Sequence, residues 1–458
     1  MGLGLHDGGL GVTRFLVDQG AEVTVTDLRS EEVLRPTLEK LAGLPVKFVL
    51  GEHREADFRQ AELVVKNPAV PRESRFLEIA REAGASIEME MTLFFKLCPS
   101  SFILGITGTR GKTTTTLLAG EMLREWQPET VIAGNLRVSA LAKLDEIRPH
   151  TPVVLELSSW QLEGLGEQHL SPHYAAVTNM SPDHLNRYRD MEDYANAKRN
   201  IYYWQNDPAA VVVLNADNEI VNKFSEDARG QVVWFSAERI LPDQTAAYLR
   251  DGNFIWKQAG QEEVVAPLTD FKVPGRHNLE NALAAIALVR SAGCPVEAIR
   301  RGLENFKGVP DRQEFVREVD GVKFYNDTTA TSPAGTIAAL EALRQQGNQI
   351  ILIAGGADKQ LEFSEMAQAI ADPANKVSHI VLLEGTATKK LVEALKTAGV
   401  PDEKLAWPFD DFSEAIITAQ SLANYGDLVV LSPGCASFGM FTHEFDRGQQ
   451  FRDIVGKL

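Results

Sequence analysis

Cysteine is nearly absent. The chain has three in 458 residues, Cys98, Cys294 and Cys435, scattered and without a Cys-x-x-Cys pair. That excludes a disulfide framework and a thiolate zinc site; it fits a reducing compartment, with small buried apolar side chains as the simplest role. Long apolar runs are also missing, so no segment reads as a membrane span. The opening MGLGLHDGG lacks the basic region and apolar core of a signal peptide, and His6 stands where a myristoylation signal has Ser or Thr. Positive charge is in deficit: 46 Lys and Arg against 63 Asp and Glu, a formal net charge of −17. This argues against a general binder of nucleic acid or membrane surfaces, and an anionic substrate must be met by local cations. Internal repeats and low-complexity tracts are absent. What remains is the composition of a soluble, cytoplasmic protein, too long for one core and expected to form roughly two to four domains.

The most informative stretch that is present is LGITGTRGKTTTT, residues 104–116. An apolar run (Phe102, Ile103, Leu104) leads into Gly108, Gly111, Lys112 and Thr113, and a helical segment follows from Thr114 to Glu125. Strand, glycine loop and helix make a phosphate cradle, in which backbone N–H groups turn onto phosphate oxygens. Lys112 would reach the β- and γ-phosphates, and the Thr113 hydroxyl would hold Mg²⁺. The common pattern requires a glycine at Ile106, whereas the nearest one is Gly105. The loop is therefore a variant.

The pattern along the chain is repeatedly α/β. Glycines 2, 4, 8 and 9 read as a loop followed by a helix from Gly11 to Gln19, with no strand before the loop. This first unit is thus expected to start one strand late. Val23–Thr26 reads as a buried strand ending in Asp27, an acid placed to meet a ribose hydroxyl. Parallel-sheet candidates then recur at Val131–Ile132, Val153–Leu155, Ala175–Thr178 and Val211–Leu214. Asp251-Gly252-Asn253 signals a turn between short strands. After a boundary loop at Gly308–Asp311, further strands are expected at Val322–Tyr325, Ile350–Ile353, Ile380–Leu383 and Leu428–Leu431.

Several residues sit where chemistry is usually done. Glu156 ends the strand Val153–Leu155, a position suited to a Mg²⁺ ligand in a phosphate-loop domain. His184, past the next strand, is by itself as compatible with a structural role, and Lys198 alone reads as a surface lysine. Asn278 and Asn281 share a helix face and are placed to bind a base or phosphate, with helix capping as the alternative for Asn278. Arg312 would clamp a phosphate and Asp327 would hold nucleotide or metal, in competition with plain surface charge.

Taken in order, these motifs resemble the Mur ligases over nearly the whole chain. The carriers are the Gly2–Gly9 loop with Asp27 and Arg29, residues 107–114, Gly134-Asn135, Glu156-Leu157-Ser158-Ser159, Thr178-Asn179 through Asp183-His184, and Lys198. They continue with residues 275–278, Arg312, Asn326-Asp327, Lys359 and residues 432–437. The resemblance implies three consecutive α/β domains. These are a Rossmann-like UDP-binding domain (1–97), a central P-loop ATPase with a mainly parallel sheet (98–308), and a C-terminal Rossmann-like domain that takes the amino acid (309–458). It implies that Leu5, His6, Asp27, Leu28, Arg29, Asn135 and Ser159 serve the UDP substrate. Gly108, Thr109, Arg110, Gly111, Lys112, Thr113, Thr114, Asn278, Asn281, Arg312 and Asp327 would serve ATP. Thr331, Lys359, Ser437 and Phe438 would hold the amino acid.

For catalysis the resemblance implies Lys112, Glu156, His184, Lys198 and Arg312. Thr113, Glu156, His184 and Lys198 would hold two Mg²⁺ ions, with Lys198 carried as a CO₂-derived carbamate. The implied reaction is ATP-driven addition of D-glutamate to UDP-N-acetylmuramoyl-L-alanine through an acyl phosphate. The enzyme is expected to act as a monomer with no nucleic-acid or membrane partner. Four positions depart from the family pattern. Arg110 replaces an asparagine, Asn67-Pro68-Ala69 replaces Ser-Pro-Gly, Thr329 replaces a lysine, and Glu444 stands where an aromatic is usual. A different ligase of the superfamily, such as a folylpolyglutamate-like synthetase, and a non-catalytic nucleotide-binding homologue therefore stay open. A dehydrogenase rests on the first glycine loop alone.

Overall fold

A computed structural model describes residues 1–5, 7–136, 138–184 and 187–458. The chain folds as two compact units: Met1–Phe271 with His277–Phe306, and Lys272–Arg276 with Lys307–Leu458.

The first unit opens with two small parallel sheets. One pairs β1 (Val23–Asp27) with β2 (Val46–Leu50), the other β3 (Leu63–Val65) with β4 (Ser86–Glu88). Met1 and Gly2 lie between them: the Met1 nitrogen donates to Val65 O (2.9 Å), Asn67 N donates to Met1 O (2.9 Å) and Gly2 N to Thr26 O (2.8 Å). A cavity of about 700 Å³ continues from there between β1 and β3. The first helix runs Asp7–Asp18, so Gly8 and Gly9, expected in the loop, are helical. A Cβ on Gly9 would strike the Leu3 backbone, and one on Gly11 the Ser139 side chain. These glycines serve close packing.

The same unit then builds a nine-stranded sheet from β5 (Ile103–Thr107), β6 (Val131–Gly134), β7 (Val153–Glu156), β8 (Tyr174–Val177), β9 (Val211–Asn215), β10 (Gln231–Ser236), β11 (Ala246–Arg250), β12 (Asn253–Gln258) and β13 (Gln261–Pro267). Its spatial order is β13-β12-β11-β10-β9-β8-β5-β7-β6. Every residue of β5, β7 and β9 is buried, which is why they read as continuous apolar runs; such strands are covered on both faces by helices. The turn at Asp251-Gly252 joins β11 to β12 as an antiparallel hairpin, with both residues at positive φ. The order matters for function. β5 lies between β8 and β7, with Thr107 opposite Val177 and Ile106 opposite Glu156, and Gly134 of β6 is also opposite Glu156. Four strand ends and the loops that leave them are thereby gathered in one place.

The second unit holds a six-stranded sheet in the order β14-β15-β19-β16-β17-β18. Its strands are β14 (Glu314–Val319), β15 (Val322–Asn326), β16 (Ile350–Gly355), β17 (Val377–Leu383), β18 (Leu405–Phe409) and β19 (Leu428–Leu431), parallel except for β14. Among the described residues no helix is long and apolar enough to cross a membrane.

Candidate active site at the phosphate loop

The loop between β5 and the helix Lys112–Arg124 is shaped by two glycines. Gly108 has φ of 152° and Gly111, the residue before the helix, has φ of 80°. A Cβ on the first would collide with Thr178 Oγ1, and on the second with Asn281 Oδ1. Neither position admits another residue without displacing a neighbour. Asn281 itself donates to Asn278 Oδ1 (3.3 Å), and both lie within the helix Arg276–Ser291. This brings Asn281 to the loop and excludes a capping role for Asn278. Arg110 is held by its backbone: its N–H donates to Asn179 Oδ1 (2.9 Å) and its carbonyl accepts from Thr178 Oγ1 (2.6 Å). Its residue is exposed. Thr109 and Thr114 are buried, with Thr109 Oγ1 between Ser181 O (3.3 Å) and the Tyr194 hydroxyl (3.4 Å).

Two lysines converge on this loop. Lys112 Nζ donates to Gly108 O and Thr109 O, both at 3.0 Å. Lys198 Nζ donates to the same Gly108 carbonyl at 2.8 Å and to Thr107 Oγ1 at 3.4 Å. Lys198 lies on the helix Met191–Arg199, is only 1% exposed, and carries its nitrogen over the Tyr194 ring at 4.9 Å. Burial and then the neighbouring Lys112 charge push its pKa well below the usual lysine range, against the pull of Asp183 and Glu156. Tyr194 precedes Lys198 by one helical turn, a spacing visible in the sequence but given no role there.

Glu156, 2% exposed, faces the loop from β7. Its Oε2 accepts from Thr113 Oγ1 at 2.7 Å and its Oε1 from Asn135 Nδ2 at 2.7 Å. Asn135, expected toward UDP, is thus a partner of Glu156. The connection was hidden from sequence because β6 and β7 are neighbours only in the folded sheet. His184 has φ of 54°, and its ring lies 5.7 Å from Trp160 and 6.0 Å from Tyr194. Among the described residues no group of three or more His, Cys, Asp and Glu is arranged to hold a metal. The donors at hand are a hydroxyl, a carboxylate and an imidazole. They suit Mg²⁺, a hard cation that takes few protein carboxylates and completes its shell with water and substrate phosphates.

In the small sheets, Asp27 is buried with both oxygens engaged, by Gly4 N (3.1 Å) and Arg29 N (2.9 Å). It fixes the first loop, leaving Leu5 (47%) and Leu28 (66%) exposed beside it. His6 lies outside the described residues. Ser159 is buried at the start of the helix Ser159–Glu167, which Ser158 caps by accepting from Gln161 N. Neither Lys112 nor Lys198 lines the cavity between β1 and β3.

In the second unit, Lys359 Nζ donates to Thr331 Oγ1 at 3.0 Å, and a bridge between Ala357 and Ala436 brings together the segments that follow them, one with Lys359 two residues on and the other with Ser437. Ser437 is buried and Phe438 is exposed. Asp327 is buried, accepting from Ser432 Oγ (2.7 Å) and Gln313 N (3.1 Å); burial pushes its carboxyl up to about 7. Arg312 is exposed and its charge pulls Asp327 the other way. Thr329 Oγ1 donates to Asp311 O (2.9 Å), and Glu444 is the first residue of the helix Glu444–Val455.

Three family models cover most of the chain: the Mur ligase MurD-like N-terminal domain over residues 1–88, the Mur ligase middle domain over 106–289, and the Mur ligase glutamate ligase domain over 311–435. A UDP-N-acetylmuramoylalanine–D-glutamate ligase from Roseiflexus sp. (strain RS-1) is 53% identical over 461 residues, spanning 99% of this chain and 97% of the relative. The chain belongs to the Mur ligase family. A ligase of the same name from Symbiobacterium thermophilum is 40% identical over 100% of this chain and 97% of the relative. Among solved structures, MurF from Acinetobacter baumannii has a TM-score of 0.62 at 20% identity, over 88% of this chain and 93% of that one. MurC from Thermotoga maritima has a TM-score of 0.59 at 21% identity, over 99% and 98%. At such identities these two neighbours report the Mur ligase fold, three α/β domains with mostly parallel sheets. The dehydrogenase expectation falls with this assignment, since the first glycine loop is part of the MurD-like domain.

Proposed function

We propose that this Mur ligase adds D-glutamate to UDP-N-acetylmuramoyl-L-alanine with consumption of ATP, a cytoplasmic step in making the precursor of the cell wall. The observation that carries the reading is the 53% identity, across nearly the full length of both chains, to a relative named for that reaction. The phosphate-loop cluster supplies the chemistry. An oxygen of the L-alanine carboxylate attacks the γ-phosphorus, the bond to the β-phosphate oxygen breaks, and ADP leaves. The glutamate nitrogen then attacks the acyl carbon, loses its proton, and inorganic phosphate departs as the amide forms. Lys112 would be the cation that reaches the phosphates, its side chain turning from the Gly108 and Thr109 carbonyls to phosphate oxygens. The Thr109 and Arg110 N–H groups are taken by Asn179, so the N–H groups in the first turn of the helix Lys112–Arg124 would meet the same oxygens, and catalysis would be positioning and charge compensation.

Mg²⁺, when bound, neutralises phosphate charge; Thr113, Glu156 and His184 would hold it, and two ions fit the family pattern. Lys198 supports the role of a carbamate. A neutral amine attacks CO₂ at carbon and releases a proton, leaving an anionic oxygen donor where an ammonium would repel the metal. Burial keeps Lys198 neutral more readily than a solvated lysine. Leu5, Leu28 and Arg29 would meet the uridine end. In the second unit Arg312 would serve the γ-phosphate, and Thr331, Lys359 and Ser437 the glutamate carboxylates. The test is isotopic: with ¹⁸O in the L-alanine carboxylate and D-glutamate as acceptor, one label should appear in the released phosphate. Its absence rules out the acyl phosphate.

A further inference from the structure

Glu163 belongs to no part of the site described so far. It lies on the helix Ser159–Glu167, which follows directly from Glu156, and it is 3% exposed. Its Oε2 takes two arginines from different parts of the chain. Arg187 Nη2 donates at 3.0 Å from the segment that carries His184, and Arg72 Nε at 3.2 Å from the segment after β3. The Arg187 guanidinium also stacks over Trp160 at 4.5 Å, on the same helix, and the Trp160 ring is the neighbour of His184.

The backbone shows what this pin holds. The Arg187 and Tyr188 amides both donate to the His184 carbonyl, at 2.9 and 3.1 Å. His184 itself sits at φ of 54°, a left-handed conformation that a histidine keeps only when its surroundings over-determine it. A buried ion pair is a weak source of stability but a strong determinant of geometry, because moving one partner strands the other's charge away from water.

We propose that Glu163 is a positioning residue: through Arg187 it fixes the backbone bearing His184 to the helix whose preceding strand bears Glu156. This rests on the reading that His184 serves the metal-nucleotide complex. The two carboxylates of residues 156 and 163 then divide the work. Glu156 faces the phosphate loop, and Glu163 sets where the histidine stands relative to it. Arg72 shares the carboxylate without touching the His184 segment, which makes it an internal control.

The test uses the full-length protein with four substitutions: Glu163→Gln, Arg187→Gln, Arg72→Gln and His184→Ala. Two readouts do not depend on turnover. One is hydrogen–deuterium exchange over residues 181–190 in the free protein; the other is affinity for Mn²⁺ in the presence of ADP, read by electron paramagnetic resonance. Glu163→Gln and Arg187→Gln should each speed exchange of that segment and weaken Mn²⁺ binding by about tenfold, the usual loss for an outer-shell partner. The double variant should be no worse than either single one, and Arg72→Gln should leave both readouts near wild type. Unchanged exchange and Mn²⁺ affinity in Glu163→Gln, with His184→Ala weakened, overturns the proposal. If His184→Ala binds Mn²⁺ normally, the metal reading of His184 fails, while the exchange measurement still decides the role of Glu163. Should Glu163→Gln not fold, Arg187→Gln removes the same pin from its more exposed side.

Discussion

Lys198 is placed where an ammonium ion is poorly tolerated. It is buried, shares a carbonyl with Lys112, and has its pKa driven down by burial and by that second lysine. A pKa lowered in this way favours the neutral amine that the proposed carbamate requires. Lys198→Ala should reduce the rate by roughly a hundredfold or more, the scale of losing one group that stabilises the transition state. Acetate or formate should restore part of the activity; full activity in Lys198→Ala would remove the residue from the site. Asp327 is a second residue-scale case. Burial raises its carboxyl to about 7, so below that pH the folded chain keeps a proton that the unfolded chain releases in the ordinary carboxylate range. Its contribution to stability is present at low pH and is lost as pH rises toward 7. Between about pH 5 and about pH 8 the thermal midpoint of Asp327→Asn should fall less than that of the wild type; parallel curves would mean Asp327 does not titrate there.

At the scale of elements, the phosphate loop depends on two facing parts that local sequence does not connect. Gly111 must be glycine because Asn281, from a helix far along the chain, packs against its α-carbon. Gly111→Ala should therefore abolish ATP binding by displacing either the loop or Asn281. Titration with a fluorescent ATP analogue checks this, and wild-type affinity would contradict it. The same contrast explains what was legible beforehand. Strands β5, β7 and β9 are covered on both faces and announce themselves as apolar runs. Strand β14, read as no strand at all, is an antiparallel edge whose exposure alternates and whose sequence, EFVREV, is half charged. β18 is the opposite edge and contains Pro408, which edges tolerate and sheet interiors do not. The helix expected from Gly11 to Gln19 starts earlier, at Asp7; its first turn was hidden by Gly8 and Gly9, which look like a loop, and a Cβ on Gly9 would strike the Leu3 backbone.

At the scale of the whole molecule, a chain with net charge −17 must meet anionic nucleotides with local groups, and these are placed where strands end. The order β8-β5-β7-β6 brings together the loops carrying Lys112, Glu156, Asn135 and Thr178, and Lys198 arrives on the helix beyond β8. The candidate site was legible as a set of residue types at strand ends. Its pairings, Glu156 with Thr113 and Asn135, or Glu163 with Arg72 and Arg187, were not, because they are set by sheet order and helix packing. The central claim is that this assembly joins one particular amino acid to one particular acid. Phosphate release should be measured with UDP-N-acetylmuramoyl-L-alanine, ATP and Mg²⁺ against a panel of D- and L-amino acids. D-glutamate alone should support sustained release with formation of the extended nucleotide; release that needs a different acceptor, or none, would contradict the account.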